Sequence, residues 1–195
     1  GIALTALRRR FEGEGYNVDA FDYMSVGAPL EQTLGELRTR MHAQTGTVHV
    51  VGHSLGGLVA LLACRGQAAR PQGRIVCMGL PVSGSSAAHQ LADWGGAWLL
   101  GHSQEVLQQG LDSWNDAREV GMVAGRMPVG LGALLGQMDG ENDGTVMLSE
   151  TRLQGLTDHC VIETSHTGML FSAEAANQVV TFLRERIELA TAAGV

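Results

Sequence analysis

The sequence predicts an α/β protein in which a mostly parallel sheet carries helices on both faces. Short β-branched runs alternate with helical patterns along the chain. The runs are apolar at successive positions, so both of their faces must be buried. With 195 residues, 45% hydrophobic and 17% charged, the chain can build one sizeable core and is short for two, so residues 1–195 are read as a single domain.

Ile2, Leu4, Leu7 and Phe11 recur at helical spacing and predict a helix over 2–14, stopped by Gly15. Residues 17–21 read as a short strand. A second helix follows Pro29, with Leu30, Leu34, Leu37 and Met41 on one face. Residues 47–51 form a compact β-branched run, and 55–64 an apolar helix just beyond Gly52. Strands are expected at 74–78, 119–123 and 160–163, and a final amphipathic helix over about 173–189. The stretch 83–114 breaks the alternation. It holds Trp94, Trp98 and Trp114, all the tryptophans of the chain, interleaved with leucines. At about 85–115 it reads either as a cap over a pocket or as an ordinary packing helix.

Charge and composition exclude several functions. The net charge of −7, from 13 basic and 20 acidic residues, opposes a nucleic-acid partner, which needs a basic surface. The one basic run, Arg8-Arg9-Arg10, falls within a helical pattern and reads as a solvated face. Cys64, Cys77 and Cys160 are an odd count in apolar stretches and read as reduced, buried thiols, which favours a cytoplasmic location. No window approaches the ~18 apolar residues of a membrane span, and no signal peptide opens the sequence. Histidines and cysteines lack ligand spacing, so neither a metal nor a cofactor is expected.

The residues that carry chemistry begin at Gly52-His53-Ser54-Leu55-Gly56-Gly57. In a chain with 27 glycines, Gly-x-Ser-x-Gly alone is weak. Its setting is specific: a β-branched run leads directly into it and an apolar helix follows it. A strand–turn–helix of this kind holds a serine in a strained bend, and glycines two positions either side avoid collision. The helix start offers N–H groups to a developing oxyanion, with Leu55 N–H as the first expected donor. A serine needs a base. Of seven histidines, His166 alone lies in a polar turn between a strand and the last helix, where α/β proteins collect functional groups. His53 adjoins the serine but is expected to point away across the turn. The carboxylate that orients the base is sought among Asp139, Glu141, Asp143 and Asp158. Asp143 suits a loop that presents its side chain, although Asp143-Gly144 also suits a plain turn. Ser54, Asp143 and His166 follow the order Ser, Asp, His.

With these motifs in hand, the sequence resembles the α/β-hydrolase superfamily and its bacterial esterase/lipase branch. The resemblance rests on Val50-Val51-Gly52-His53-Ser54-Leu55-Gly56-Gly57, Asn142-Asp143-Gly144-Thr145-Val146 and Ser165-His166-Thr167-Gly168-Met169. A fourth segment, Gly79-Leu80-Pro81-Val82-Ser83-Gly84-Ser85, is similar to a lipase turn except for Leu80. It implies Ser54 as nucleophile, Asp143 as acid and His166 as base, acting on a small-molecule or lipid-like ester. The tryptophan-rich stretch suggests a hydrophobic acyl group. An acyltransferase or thioesterase with the same triad is an alternative, as is a catalytically silent module that binds a ligand. The sequence does not give the oligomeric state. The resemblance also implies a departure: a strand that in the family precedes the first helix, and whose loop supplies a second oxyanion N–H, is not found. The sheet is therefore expected to lack this N-terminal strand, with a gap between residues 17–21 and the strand before Ser54. The corresponding segment, of roughly 15 to 25 residues, would precede Gly1 or come from another chain.

Overall fold

The computed structural model describes residues 2–21, 30–66, 72–82, 113–129 and 140–192. Four strands, β1 (Val50–His53), β2 (Ile75–Met78), β3 (Val120–Gly125) and β4 (Asp158–Ile162), form a sheet in that order with every neighbouring pair parallel. The helices are α1 (Ile2–Gly13), α2 (Leu30–His42), α3 (Leu55–Cys64) and α4 (Ala173–Ala192). Two 3-10 turns, Leu148–Thr151 and Gly168–Leu170, flank β4.

Side-chain alternation along the strands sorts the core into two layers. Ile75 and Cys77 of β2, with Val120 and Met122 of β3, face α2 and α3, whose Leu34, Leu37, Leu58 and Leu61 complete that side. Val76, Met78 and Val123 face the opposite way, onto Leu7 and Phe11 of α1 and Val179, Phe182 and Leu183 of α4. Every residue of β2 and β3 is buried, which explains why these segments are apolar without alternation. Helix α3 is buried almost all round, in keeping with its run of Leu, Val and Ala.

Several boundaries differ from the expectation. The β1 ladder begins at Val50 and runs through Gly52 and His53, because Gly52 sits in register opposite Cys77. Residues 47–49 form no ladder: the Val48 N–H donates to Gln72 O, while the Arg74 N–H donates to the His49 Nδ1 side-chain nitrogen. Strand β3 extends two residues further, to Gly125, and β4 starts two residues earlier, at Asp158.

The strand expected at 17–21 does not form; these residues pair with no strand. A cavity of about 490 Å³ lies between them and β1, lined by Tyr16, Val18 and Phe21 on one side and by Val50, Val51 and His53 on the other. A ladder requires a neighbour about 4.8 Å away, and the cavity keeps this segment from reaching one. It lies where the resemblance assigns a further strand. The cap expected at about 85–115 falls outside the described residues except for 113–115. Of these, Trp114 is buried and donates from its indole N–H to Arg118 O.

At the end of β3 the chain passes so close to the turn after β4 that a side chain has no room. A Cβ on Gly125 would lie 2.4 Å from Thr164 O and 2.9 Å from Asp143 Cβ. Gly125→Ala should lower stability by about 1–3 kcal/mol through overpacking against backbone that cannot retreat. Urea unfolding would record this as a lower midpoint at unchanged slope, and an unaltered midpoint would contradict the packing described.

Candidate active site

All the sequence-expected functional groups gather at the C-terminal edge of the parallel strands. Ser54 follows β1, and His166 follows β4. Asp143 lies in the loop between β3 and β4. Backbone hydrogen bonds tie the edge together: Ser54 N–H donates to Met78 O, Gly79 N–H to Val123 O, and Met127 N–H to Thr164 O.

Ser54 adopts φ 55° and ψ −127°, the one positive φ outside glycine among the described residues. A backbone in so sparsely populated a region costs on the order of 1–3 kcal/mol, offset by the surrounding ladder and helix. The bend brings Gly52 against the first turn of α3, where a Cβ on residue 52 would lie 2.3 Å from the carbonyl of Gly56. Only glycine is tolerated there. Ser54 occupies the N-cap of α3, but its hydroxyl makes no cap hydrogen bond, whereas serine at this position ordinarily turns its oxygen onto the helix. The N–H of Leu55, the expected oxyanion donor, begins α3 and is bonded to no described group.

Asp143 is 1% exposed, and its two oxygens have separate tasks. Oδ1 accepts from the N–H groups of Thr145 and Val146, which is the Asp-Gly turn anticipated as an alternative reading. Oδ2 lies 2.8 Å from His166 Nδ1. Backbone bonds lock the same pair, with His166 N–H donating to Asp143 O and Asp143 N–H to Val146 O. A carboxylate cannot donate, so Nδ1 carries the proton and Nε2 is the basic nitrogen. No hydrogen bond joins the Ser54 hydroxyl to His166 in this structure; such contacts often close only around substrate. Of the other acidic residues weighed, Glu141 is exposed and pairs with Arg126 at 3.8 Å, and Asp158 begins β4 at the opposite edge. Asp139 lies outside the described residues.

His53 makes a contact that the sequence did not anticipate. Its ring lies 4.7 Å from that of His166, and its Nε2 is 2.9 Å from His166 O. Because β1 continues to residue 53, strand alternation turns this side chain toward the loop after β4. Gly79 is a second contributor that residue chemistry did not reveal. A Cβ there would lie 3.1 Å from His166 Nδ1, so glycine leaves the imidazole its space. The only advance signal was the place of Gly79 at the head of a turn just after β2. Among the described residues no cluster of three or more His, Cys, Asp or Glu could hold a metal, and no helix is long and apolar enough to cross a membrane.

Burial also sets the protonation of three histidines, His53 at this edge and His49 and His159 toward the opposite one. His53 is pushed down to about 4 by burial and by the neighbouring His166. Burial, with Arg74 and Arg118 nearby, lowers His49 to about 4 as well. Burial lowers His159 in the same direction. In the unfolded chain each returns to about 6.5. Between about pH 6.5 and 4 the unfolded chain therefore binds protons that the folded chain refuses. Stability is full above that window and falls as pH falls through it. Glu150, whose carboxyl is raised by burial, works in the opposite direction as one group against three. Urea midpoints should be lower at pH 5 than at pH 7, and His49→Gln should reduce the difference; equal midpoints would contradict neutral buried histidines.

The chain matches the alpha/beta hydrolase family over residues 3–179. Among solved structures it is similar to the mature form of the Bacillus licheniformis lipase BlEst2, at 22% identity and a TM-score of 0.63, over 91% of this chain and 83% of that one. It is also similar to MGS-MChE2, an alpha/beta hydrolase enzyme from the metagenome of sediments from the Mar Chica lagoon in Morocco. There the identity is 14% and the TM-score 0.58, over 96% of this chain and 87% of that one. No curated protein sequence matches it significantly. At these identities the structural likenesses speak for the fold, and the fold agrees with a family match that spans most of the sequence: the chain belongs to the alpha/beta hydrolase family.

Proposed function

We propose that this protein is a serine hydrolase that cleaves a carboxylic ester through an acyl-enzyme on Ser54. The observation that carries this reading is the convergence, at one edge of the sheet, of a serine in a strained bend with a buried Asp143–His166 pair. A structural serine would gain nothing from the strain, and a structural carboxylate would not need to fix an imidazole. The lipase whose fold is similar adds support for ester substrates.

In the first step His166 Nε2 takes the Ser54 proton as Oγ adds to the ester carbonyl carbon. The carbonyl electron pair moves onto oxygen, and the Leu55 N–H at the start of α3 donates to that oxyanion. Asp143 Oδ2 keeps the Nδ1–H tautomer and stabilises the imidazolium. Collapse of the adduct breaks the ester C–O bond, and His166 returns its proton to the departing alcohol. Water, deprotonated by the same nitrogen, then adds to the acyl carbon, and the second collapse breaks the acyl C–Oγ bond as His166 returns that proton to Ser54 Oγ, which frees the acid.

A fluorophosphonate probe should label the native protein at Ser54. Ser54→Ala should lose both labelling and hydrolysis of p-nitrophenyl esters while its thermal midpoint holds. Asp143→Asn, which leaves the ring in the wrong tautomer, should lower kcat by on the order of 10⁴-fold. A folded native protein that neither takes the probe nor turns over esters would be a silent binding module, and the reading would fail.

A further inference from the structure

Among the described residues, three hydrogen-bond contacts hold His166 in place. Its backbone N–H donates to Asp143 O, its Nδ1–H donates to Asp143 Oδ2, and its carbonyl oxygen faces His53 Nε2 at 2.9 Å. Two of these lead to the loop around Asp143. The third leads to the residue immediately before Ser54.

That third contact differs in what it fixes. Strands β1 and β4 lie at opposite edges of the four-stranded sheet, three interstrand spacings or about 14 Å apart. Across the sheet, Ser54 and His166 are therefore related through three interstrand steps and the loops that follow β1 and β4. Through His53 they are related by one hydrogen bond and one Cα–Cα step of about 3.8 Å. A carbonyl oxygen can only accept, so His53 Nε2 must carry a proton and donate. The tilted ring contact, 4.7 Å between centroids with planes at 52°, supports the same imidazole along one side.

We infer that His53 is a positioning residue for His166, setting the distance between the base and the serine by bonding the base's carbonyl from the nucleophile's own turn. This rests on the proposed role of His166 as base. A cation this close to His166 would oppose imidazolium formation during attack. Burial and His166 itself hold His53 neutral down to about pH 4, so it supplies a donor without a charge. Among the described residues, the titratable groups that act on His53 are His166 and Asp143, while Arg8, Tyr16, Asp19, Arg40 and His49 line other parts of the cavity it borders.

Two substitutions and two readouts test the inference. His53→Ala removes the donor and the ring; His53→Gln restores an N–H donor of similar reach. On a p-nitrophenyl ester, His53→Ala should lower kcat about ten- to hundred-fold with KM little changed, as expected for misplacement of a reacting group by about an ångström. His53→Gln should recover most of the lost rate. Proton NMR should show the low-field Nδ1–H signal between His166 and Asp143, assigned by its loss in Asp143→Asn, broadened in His53→Ala and restored in His53→Gln. An unchanged kcat in His53→Ala overturns the inference. So does an equal loss in both variants with matching falls in thermal midpoint, which would mark His53 as packing alone. The NMR readout stands without turnover: an inactive native protein with the expected NMR pattern would sink the hydrolase reading and leave the positioning contact standing, while an unaltered low-field signal in His53→Ala would overturn the contact itself.

Discussion

The bend between β1 and α3 depends on the absence of a single atom. With any Cβ at position 52, the strand could not turn back within two residues of Gly56, and the first turn of α3 would have to move away from the sheet. Helix α3 is the most enclosed helix of the described structure and packs against β1, β2 and α2, so displacing it would open one whole layer of the core. The same bend gives Ser54 its positive φ. Steric economy at Gly52 and strain at Ser54 are thus one constraint expressed at neighbouring residues, and the fold that α3 stabilises is what maintains the strain.

From that bend the remaining site follows by hydrogen bonding across the strand ends. Parallel strands leave their C-terminal groups on one edge, and each loop that leaves the edge bonds to its neighbour: residue 54 to residue 78, residue 79 to residue 123, residue 127 to residue 164. Asp143 closes the series by dividing its carboxylate, with one oxygen bonding the backbone of its own turn and the other bonding His166. The turn and the acid–base pair are therefore coupled. With both oxygens bonded to N–H donors, neither end of the buried carboxylate is left without a partner, which offsets the cost of its burial. Gly79 and Gly125 contribute by leaving room, since a Cβ at either would press on His166 or on Asp143 and Thr164.

Much of this was legible in local chemistry. β-branched runs apolar on both faces imply a doubly covered parallel sheet, and periodic apolar residues give α1, α2 and α4. The Gly-x-Ser-x-Gly pattern between a strand and an apolar helix marks the bend, because its requirements are set by atoms within five residues of one another. What was misread depends on partners distant in sequence. Residues 17–21 have the composition of a strand, yet a strand exists only with a neighbour, and a cavity stands between this segment and β1. The contact of His53 with His166 was not foreseen, because the orientation of its side chain depends on β1 running on through Gly52, which register with β2 decides and composition does not.

The sequence by itself therefore determined the class of fold, the elements whose periodicity is internal to them, and the residue types from which a nucleophile, an orienting carboxylate and a base could be drawn. Only the tertiary structure decided that Asp143, among the acidic residues described, reaches His166, that His53 turns inward onto the same imidazole, and that Gly79 and Gly125 are spaces required by their neighbours. The physical reason is range. Periodicity, capping and turn strain act over a few residues, whereas contacts across 113 and 23 positions, such as His53 to His166 and Asp143 to His166, exist only once sheet order and register have brought the strand ends side by side.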